Sequence, residues 1–205
     1  MVIDASWLGH SPDLAFGAGR TKRLVIRRFR PEDAASLAAY RSDPLVARYQ
    51  SWEAPFAREE ADAFIERLGV ANPDTVGEWF QFAVEEAATG QHLGDVAVGV
   101  DVGDPRLVTM GVTMARSAQG RGIATEAVTW LFDYLFVERG KHRVTAECDV
   151  RNRRVIALFD RLGMRREGHH LQRAEWKGEW VDEYVYALLS HEWAAARATV
   201  GERNE

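Results

Sequence analysis

The sequence Gln119-Gly120-Arg121-Gly122-Ile123-Ala124-Thr125 stands directly before a run of apolar residues at helical spacing. That run, which includes Ala124, Val128, Leu131 and Leu135, predicts an amphipathic helix that begins at the glycines. Glycine adopts positive φ angles and lets a ligand approach the backbone, and the first N–H groups of a helix have no partner within it. The stretch therefore predicts an anion site, and a polyphosphate is the leading ligand.

Two nucleotide-binding motifs can be tested on the same residues, and both fail. A dinucleotide fingerprint needs a third glycine where this chain has Thr125, and a Walker-type loop needs Gly-Lys-Ser/Thr where Ile123 and Ala124 follow Gly122. A glycine-rich turn before a helix also occurs without any ligand, so the spacing alone leaves both interpretations open.

Read as Gln-x-x-Gly-x-Ala, the residues Gln119, Gly122 and Ala124 resemble the acetyl-coenzyme A signature of the GNAT superfamily of N-acetyltransferases. Three further segments, residues 21–63, 152–164 and 176–193, are similar in order to the ribosomal-protein N-terminal acetyltransferase branch. The resemblance implies an α+β fold of three layers, in which helices flank a central, mostly antiparallel mixed sheet.

The domain limits follow from the same resemblance. We expect a single N-acetyltransferase domain over residues 21–193, an N-terminal arm over 1–20 and a C-terminal tail over 194–205. The hydrophobic periodicity and turn residues predict the elements listed here. Strands are expected at 24–28, 80–85, 93–102, 107–114, 143–150, 165–175 and 179–189, and helices at 32–40, 57–68, from 124 onward and at 153–162.

Composition limits the class of protein independently. A chain of 205 residues with 46% hydrophobic residues suits one domain, and a net charge of −5 argues against nonspecific nucleic-acid binding. No stretch approaches the roughly 20 apolar residues that span a bilayer, which predicts a soluble, cytoplasmic protein. The single cysteine, Cys148, lies in an apolar run and is predicted to be a buried strand residue rather than a nucleophile.

Positive charge is concentrated near the glycine stretch. Residues 116–166 hold 11 Lys or Arg against 6 Asp or Glu, so this segment carries +5 while the whole chain carries −5. Arginines beside main-chain amides suit the phosphates of coenzyme A, and the acidic remainder suits a cationic amine. The arginines concerned are Arg116, Arg121, Arg151, Arg153, Arg154 and Arg161.

The resemblance also implies which residues contact acetyl-CoA, the expected co-substrate. In the family, backbone groups at the end of the strand before the glycine loop contact pantetheine and the thioester carbonyl, which here points to Val112 and Met114, with the Met114 amide as oxyanion donor. Asn152 matches an asparagine that contacts pantetheine. The full set is Val112, Met114, Gln119, Gly120, Arg121, Gly122, Ile123, Ala124, Thr125, Asn152, Phe159 and Arg161.

Transfer to an amine needs a base, an oxyanion donor and departure of the thiolate. Glu147 is the first candidate for the base and Glu53 the second. Many relatives carry a serine thought to protonate the thiolate where this chain has Val155, so solvent could serve instead. His169 and His170 would point to opposite faces of a strand, and no metal site is expected.

The tryptophans leave two roles open. Trp52, Trp79, Trp176 and Trp180 could line a substrate pocket or pack the core and the terminal hairpin, and packing is the favoured interpretation. That hairpin could instead pair with a second subunit, which leaves a homodimer open.

The sequence favours an enzyme that moves acetyl directly from acetyl-CoA to a primary amine, either a protein N-terminus or a small molecule. Within this class, an aminoglycoside-type acetyltransferase and a transferase of longer acyl groups such as succinyl remain open. From another class, a coenzyme A-binding module without catalysis also remains open.

Overall fold

The computed structural model describes residues 18–201 of the chain. Their strands form one sheet of eight, in the order β1-β2-β3-β4-β5-β6-β8-β7. The strands are β1 (Ala18–Arg20), β2 (Leu24–Arg27), β3 (Trp79–Glu86), β4 (His92–Val100), β5 (Leu107–Met114), β6 (Arg143–Asp149), β7 (Arg165–Trp176) and β8 (Glu179–Leu189).

Helices connect and cover the strands. They are α1 (Ala34–Arg41), α2 (Pro44–Ala47), α3 (Arg58–Val70), α4 (Ile123–Asp133), α5 (Arg153–Arg161) and α6 (Ser190–Gly201). A π-helical turn, Tyr134–Glu138, continues α4. Within the described residues, no helix is long and apolar enough to cross a membrane.

Every strand pair is antiparallel except β5 with β6, which run parallel. Helices lie on both sides of this sheet. Phe82 of β3 packs edge-on against Trp130 of α4, with ring centroids 5.5 Å apart, and Phe159 of α5 contacts Tyr186 of β8 on the same side. We call this the α4 face. The expected mixed, mostly antiparallel sheet with flanking helices is confirmed.

The opposite side of the sheet is the α1 face. There Arg41 donates to Gln81 of β3, and the Tyr40 hydroxyl donates to the carboxylate of Asp95 on β4. His92 lies beside this pair, between the Ser36 hydroxyl at 2.7 Å and the Gly94 carbonyl at 2.9 Å. Burial raises the pKa of the Asp95 carboxyl, so the group depends on its hydroxyl donor rather than on water.

Local predictions can be compared with the elements directly. The predicted strand 107–114 coincides with β5, and the turn at Lys177 and Gly178 has φ angles of 55° and 78°, as a tight hairpin requires. Cys148 is buried on β6, and burial raises the pKa of its thiol to about 12, which agrees with the structural role predicted for it.

Two elements cross the expected domain limits. Strand β1 begins at Ala18, inside the stretch expected to be an arm, and pairs with β2. Helix α6 runs from Ser190 to Gly201, and its Trp193 is buried and donates to Asp133 over 2.9 Å. The rest of the predicted arm, residues 1–17, and residues 202–205 of the predicted tail lie outside the described residues.

Candidate active site

The sheet opens between its two parallel strands. Strands β5 and β6 pair only from Leu107 to Thr109 and from Arg143 to Thr145, although both continue for several residues. At the last paired position the hydroxyls of Thr109 and Thr145 lie 3.0 Å apart. Beyond this point the strands separate, and the gap between them is bounded by main-chain edges.

The direction of the β5 backbone follows from its bonds to β4. Ala115 N donates to Leu93 O over 2.8 Å, and Asp101 N donates to Leu107 O over 3.0 Å, so odd-numbered residues of β5 bond to β4. In an antiparallel pair, successive residues direct their backbone N–H and C=O groups alternately toward the partner strand and away from it. The even-numbered residues of β5 therefore direct these groups toward β6. Val112 and Met114 are even-numbered and lie beyond the paired rows, so their amides face the gap.

The glycine loop ends beside this gap. Gly120 and Gly122 have φ angles of 74° and 75°, and Gly122 is the N-cap of α4. Glu126 N donates to Gly122 O over 3.1 Å, which leaves the amides of Ile123, Ala124 and Thr125 as the unpaired first turn. The Ile123 side chain is buried, so only its backbone can contribute to an anion site.

Gln119 connects the loop to the strand edge. Its Nε2 donates to the carbonyl of Met114 over 3.0 Å, and its Oε1 accepts from Arg154 of α5. The side chain of Gln119 is therefore occupied by protein groups on both sides of the gap. Its role near a cofactor would be to fix the loop.

A residue that sequence reasoning missed supports the loop from outside. Arg23, in the turn before β2, donates Nε to Glu126 Oε2 over 2.6 Å and Nη1 to Arg121 O over 2.9 Å. Its Nη2 would lie 3.4 Å from a Cβ at Gly122. Glu126 also accepts from Thr21, so one carboxylate fixes both Thr21 and Arg23 at the start of α4. The separation of 98 residues between Arg23 and Arg121 leaves no local sequence signal.

The remaining predicted cofactor residues divide into two groups. Asn152 is the N-cap of α5, where its Oδ1 accepts from Val155 N over 3.3 Å, and Arg161 of α5 donates to the Thr125 hydroxyl over 3.4 Å. These contacts bring α5 beside the glycine loop. Phe159 is only 2% exposed and packs on Tyr186, so its ring belongs to the core rather than to a cofactor surface.

The two candidate bases lie on different elements. Glu147 is exposed on β6, the strand that faces β5 across the gap, and its Oε1 lies 3.7 Å from Arg173. Glu53 is exposed in the loop between α2 and α3, outside the strands that frame the gap. Only Glu147 belongs to the gap itself.

The segment that contains helix α2 contacts residues on both sides of the gap. Asp43, the N-cap of α2, pairs with Arg116 after β5 at 3.2 Å. On the other side of the gap, Tyr49 donates to Arg151 O over 3.4 Å, and Lys177 of the hairpin donates to Ala47 O over 2.7 Å. The segment from Asp43 to Tyr49 therefore limits access to the gap.

Metal ligation has no support in the described part of the chain. No group of three His, Cys, Asp or Glu residues in it could hold an ion, and His169 instead lies 3.2 Å from Asp182. The site is a main-chain cradle with arginines at its edge.

Residues 23–165 match the family described as the acetyltransferase (GNAT) domain. The chain belongs to the GNAT acetyltransferase family. It is therefore an N-acetyltransferase that uses acetyl-CoA, and the predicted membership of this superfamily is confirmed.

Individual GNAT relatives support the same assignment. The chain is 31% identical to the uncharacterized N-acetyltransferase YnaD of Bacillus subtilis, over 84% of this chain and 97% of the relative. It is 28% identical to the ribosomal protein uS5-alanine N-acetyltransferase of Escherichia coli, over 86% and 93% of the two chains. A GNAT-family acetyltransferase from Bacillus anthracis has a similar structure, with a TM-score of 0.76, 27% identity and coverage of 85% and 99%.

Proposed function

We propose that this GNAT protein acetylates a primary amine by direct transfer, with acetyl-CoA and the amine bound together. The observation that carries the proposal is the gap between β5 and β6, which passes through the sheet beside the glycine loop. The loop and α5 lie on the α4 face, so the phosphate end of coenzyme A would bind there. The acceptor would approach the thioester from the α1 face.

The residues present fit coenzyme A. Gly122 offers backbone without a side chain, and the first-turn amides of α4 point outward where a diphosphate would lie. Arg154 adds positive charge at the loop, whereas the guanidinium of Arg121 pairs with Glu86 over 2.6 Å. Asn152 uses its oxygen to cap α5, which leaves its NH₂ group as a donor toward pantetheine. When bound, acetyl-CoA supplies the activated acyl group.

The chain's own groups would then perform three tasks. The amides of Met114 and Val112 would stabilise negative charge on the thioester oxygen, because both face the gap. Glu147 would accept the proton of the amine. Val155 is half-buried and provides no acid, so the thiolate would leave unaided or take a proton from solvent.

The acceptor is the finer part of the proposal. A relative is a ribosomal protein uS5-alanine N-acetyltransferase, which supports a protein amine as acceptor, and a small primary amine offers the same nucleophile. We also propose a cytoplasmic location, because the single cysteine forms no internal disulfide and the enzyme must act where acetyl-CoA is present. A homodimer would use the exposed strand β7, and sedimentation velocity would test it.

Turnover on a panel of amines tests the proposal. The purified protein should release free thiol from acetyl-CoA in the presence of primary amines, and succinyl-CoA in the same assay would test longer acyl groups. Tight binding of coenzyme A in calorimetry without thiol release on any amine would instead support a non-catalytic binding module. Absence of coenzyme A binding by folded protein would contradict both.

A further inference from the structure

The indole of Trp79 lies flat on the α1 face of the sheet. A Cβ built at Gly99 of β4 would be 2.8 Å from Cε2 of this indole and 2.9 Å from Cδ2, so the ring occupies the space above that glycine. Its Cζ3 atom lies 3.9 Å from a Cβ built at Gly111 of β5. Trp79 is nevertheless 52% exposed, because one side of the ring covers the sheet while the other is open. The packing role predicted for it therefore describes only half of the ring.

The two glycines are explained by space rather than by backbone conformation. Neither Gly99 nor Gly111 has a positive φ, so any residue could adopt their extended geometry. At Gly99 the missing side chain makes room for the indole. At Gly111 a Cβ would meet only Ala97 at 3.4 Å and the rim of Trp79 at 3.9 Å, so the sheet floor is bare beside the ring.

The register places this bare floor at the mouth of the gap. Trp79, Gly99 and Thr109 lie in one row across β3, β4 and β5, and Thr109 is the last residue paired with β6. Gly111 is in the next row, where β6 has separated, and it immediately precedes Val112. Glu147, two residues after Thr145, shares the α1 face on the opposite side of the gap. The indole rim, the bare glycine and Glu147 therefore surround the opening through which an acceptor would reach a thioester.

Charge at this opening is limited. The Asp149 carboxylate accepts from Arg151 through three side-chain contacts of 2.6 to 3.1 Å, and Glu183 accepts from Trp176 Nε1 over 3.2 Å. Glu147 is held more loosely, 3.7 Å from Arg173. One loosely paired carboxylate beside a broad aromatic surface suits one amine with an apolar body, whereas a polyamine needs several available carboxylates.

We propose that Trp79 selects the acceptor by stacking on a flat or apolar group next to its primary amine, with that group over Gly111 and the nitrogen toward Glu147. The inference rests on the proposed function and narrows it to amines with an apolar substituent, whether a small arylalkylamine or a peptide with an aromatic first residue. Stacking on an indole is favourable by an amount that corresponds to roughly a tenfold change in affinity.

Binding can be measured without turnover. Calorimetry with protein saturated with coenzyme A would use 2-phenylethylamine, a short peptide beginning with phenylalanine, and spermidine. We expect Trp79→Ala to weaken binding of the aromatic amine about tenfold or more, Trp79→Phe to retain most of it, and spermidine to bind poorly to all forms. Trp180→Ala is the matched control, because Trp180 is 61% exposed and lies in the part of β8 that pairs with β7 but not with β6.

The outcomes separate this inference from the proposed function. Unchanged amine affinity in Trp79→Ala, or spermidine binding more tightly than both aromatic ligands, would overturn the role of Trp79 even if turnover is observed. If the wild-type protein acetylates no amine but Trp79→Ala still weakens amine binding, the result would contradict the proposed catalysis and leave the binding role of Trp79 intact.

Gly111→Val provides a second variant, since the extended backbone at Gly111 accepts valine. This variant should prevent amine binding while the affinity for coenzyme A stays within about twofold. Unimpaired amine binding would contradict the proposal that the apolar group of the amine binds over Gly111. Comparison of the phenylalanine peptide with 2-phenylethylamine in the same titrations shows whether a peptide or a small amine is the preferred acceptor.

Discussion

The side-chain amide of Gln119 donates to the main-chain carbonyl of Met114 over 3.0 Å. This bond ties the glycine loop to the strand edge whose amides face the gap. The loop proposed to bind phosphate and the strand edge proposed to contact the thioester are thereby held in a fixed relation. Such preorganisation favours catalysis that depends on positioning.

Replacing Gly122 by valine should weaken coenzyme A binding at least about tenfold. Gly122 has a φ of 75°, and Arg23 lies 3.4 Å from the position of a Cβ, so the side chain would strain the backbone and displace the brace of the loop. Calorimetry would measure the affinity. Gly140→Val is the matched control, because its φ of 61° imposes similar strain where no atom lies within 4 Å. Equal affinities for both variants would contradict the loop assignment.

Replacing Glu147 by glutamine should lower kcat by about 100-fold or more, which is the usual contribution of a positioned base. Coenzyme A affinity should not change, since Glu147 lies on the acceptor side. The residual rate should rise with pH as the acceptor ammonium loses its proton. Steady-state kinetics would be compared with Glu175→Gln on the exposed hairpin. If Glu53→Gln lost activity while Glu147→Gln kept it, the base would be Glu53.

The acid sensitivity of folding should depend in part on Glu126. Burial tends to raise the pKa of its carboxyl, but hydrogen bonds from Thr21 and Arg23 outweigh burial and hold the pKa below its ordinary value of 4.5. The resulting stability is present above pH 4.5 and is lost as the pH falls through the lowered folded-state value. Melting temperatures of wild type and Glu126→Gln should therefore differ near pH 7 and converge in acid. A constant difference across this range would show that ionisation of Glu126 is unimportant.

Removing the Tyr40 hydroxyl should destabilise the fold by about 1–3 kcal/mol, because the buried carboxyl of Asp95 loses its donor. Urea unfolding of Tyr40→Phe would measure the change. Tyr49→Phe removes a hydroxyl whose contact is exposed and longer, at 3.4 Å, and should cost no more than about 0.5 kcal/mol. Similar losses in the two variants would mean that the Asp95 contact carries no special weight.

The sequence predicted the parts of the site that depend on local geometry. The glycine loop, the start of α4 and strand β5 follow from residue types and short-range periodicity, which determine backbone conformation directly. Contacts between distant segments could not be predicted in this way. The bond from Arg23 to Arg121, the position of Glu147 beside the gap and the open indole of Trp79 depend on strand order and register.

The favoured packing role describes the exposed tryptophans only in part. Trp79, Trp176 and Trp180 are 52%, 39% and 61% exposed. Periodicity identifies which side chains share a face of a strand. It does not reveal whether another element covers that face.

In the proposed complex, phosphate is bound by main-chain amides, whereas the acceptor is contacted by individual side chains such as Trp79 and Glu147. Amides persist when most side chains are exchanged, so mutations can accumulate on the acceptor side without disturbing the donor. A lineage built on this sheet can therefore acquire new acceptors by one or two substitutions while its acyl donor stays the same. That division of labour would allow relatives with modest overall identity to share a donor and diverge in target.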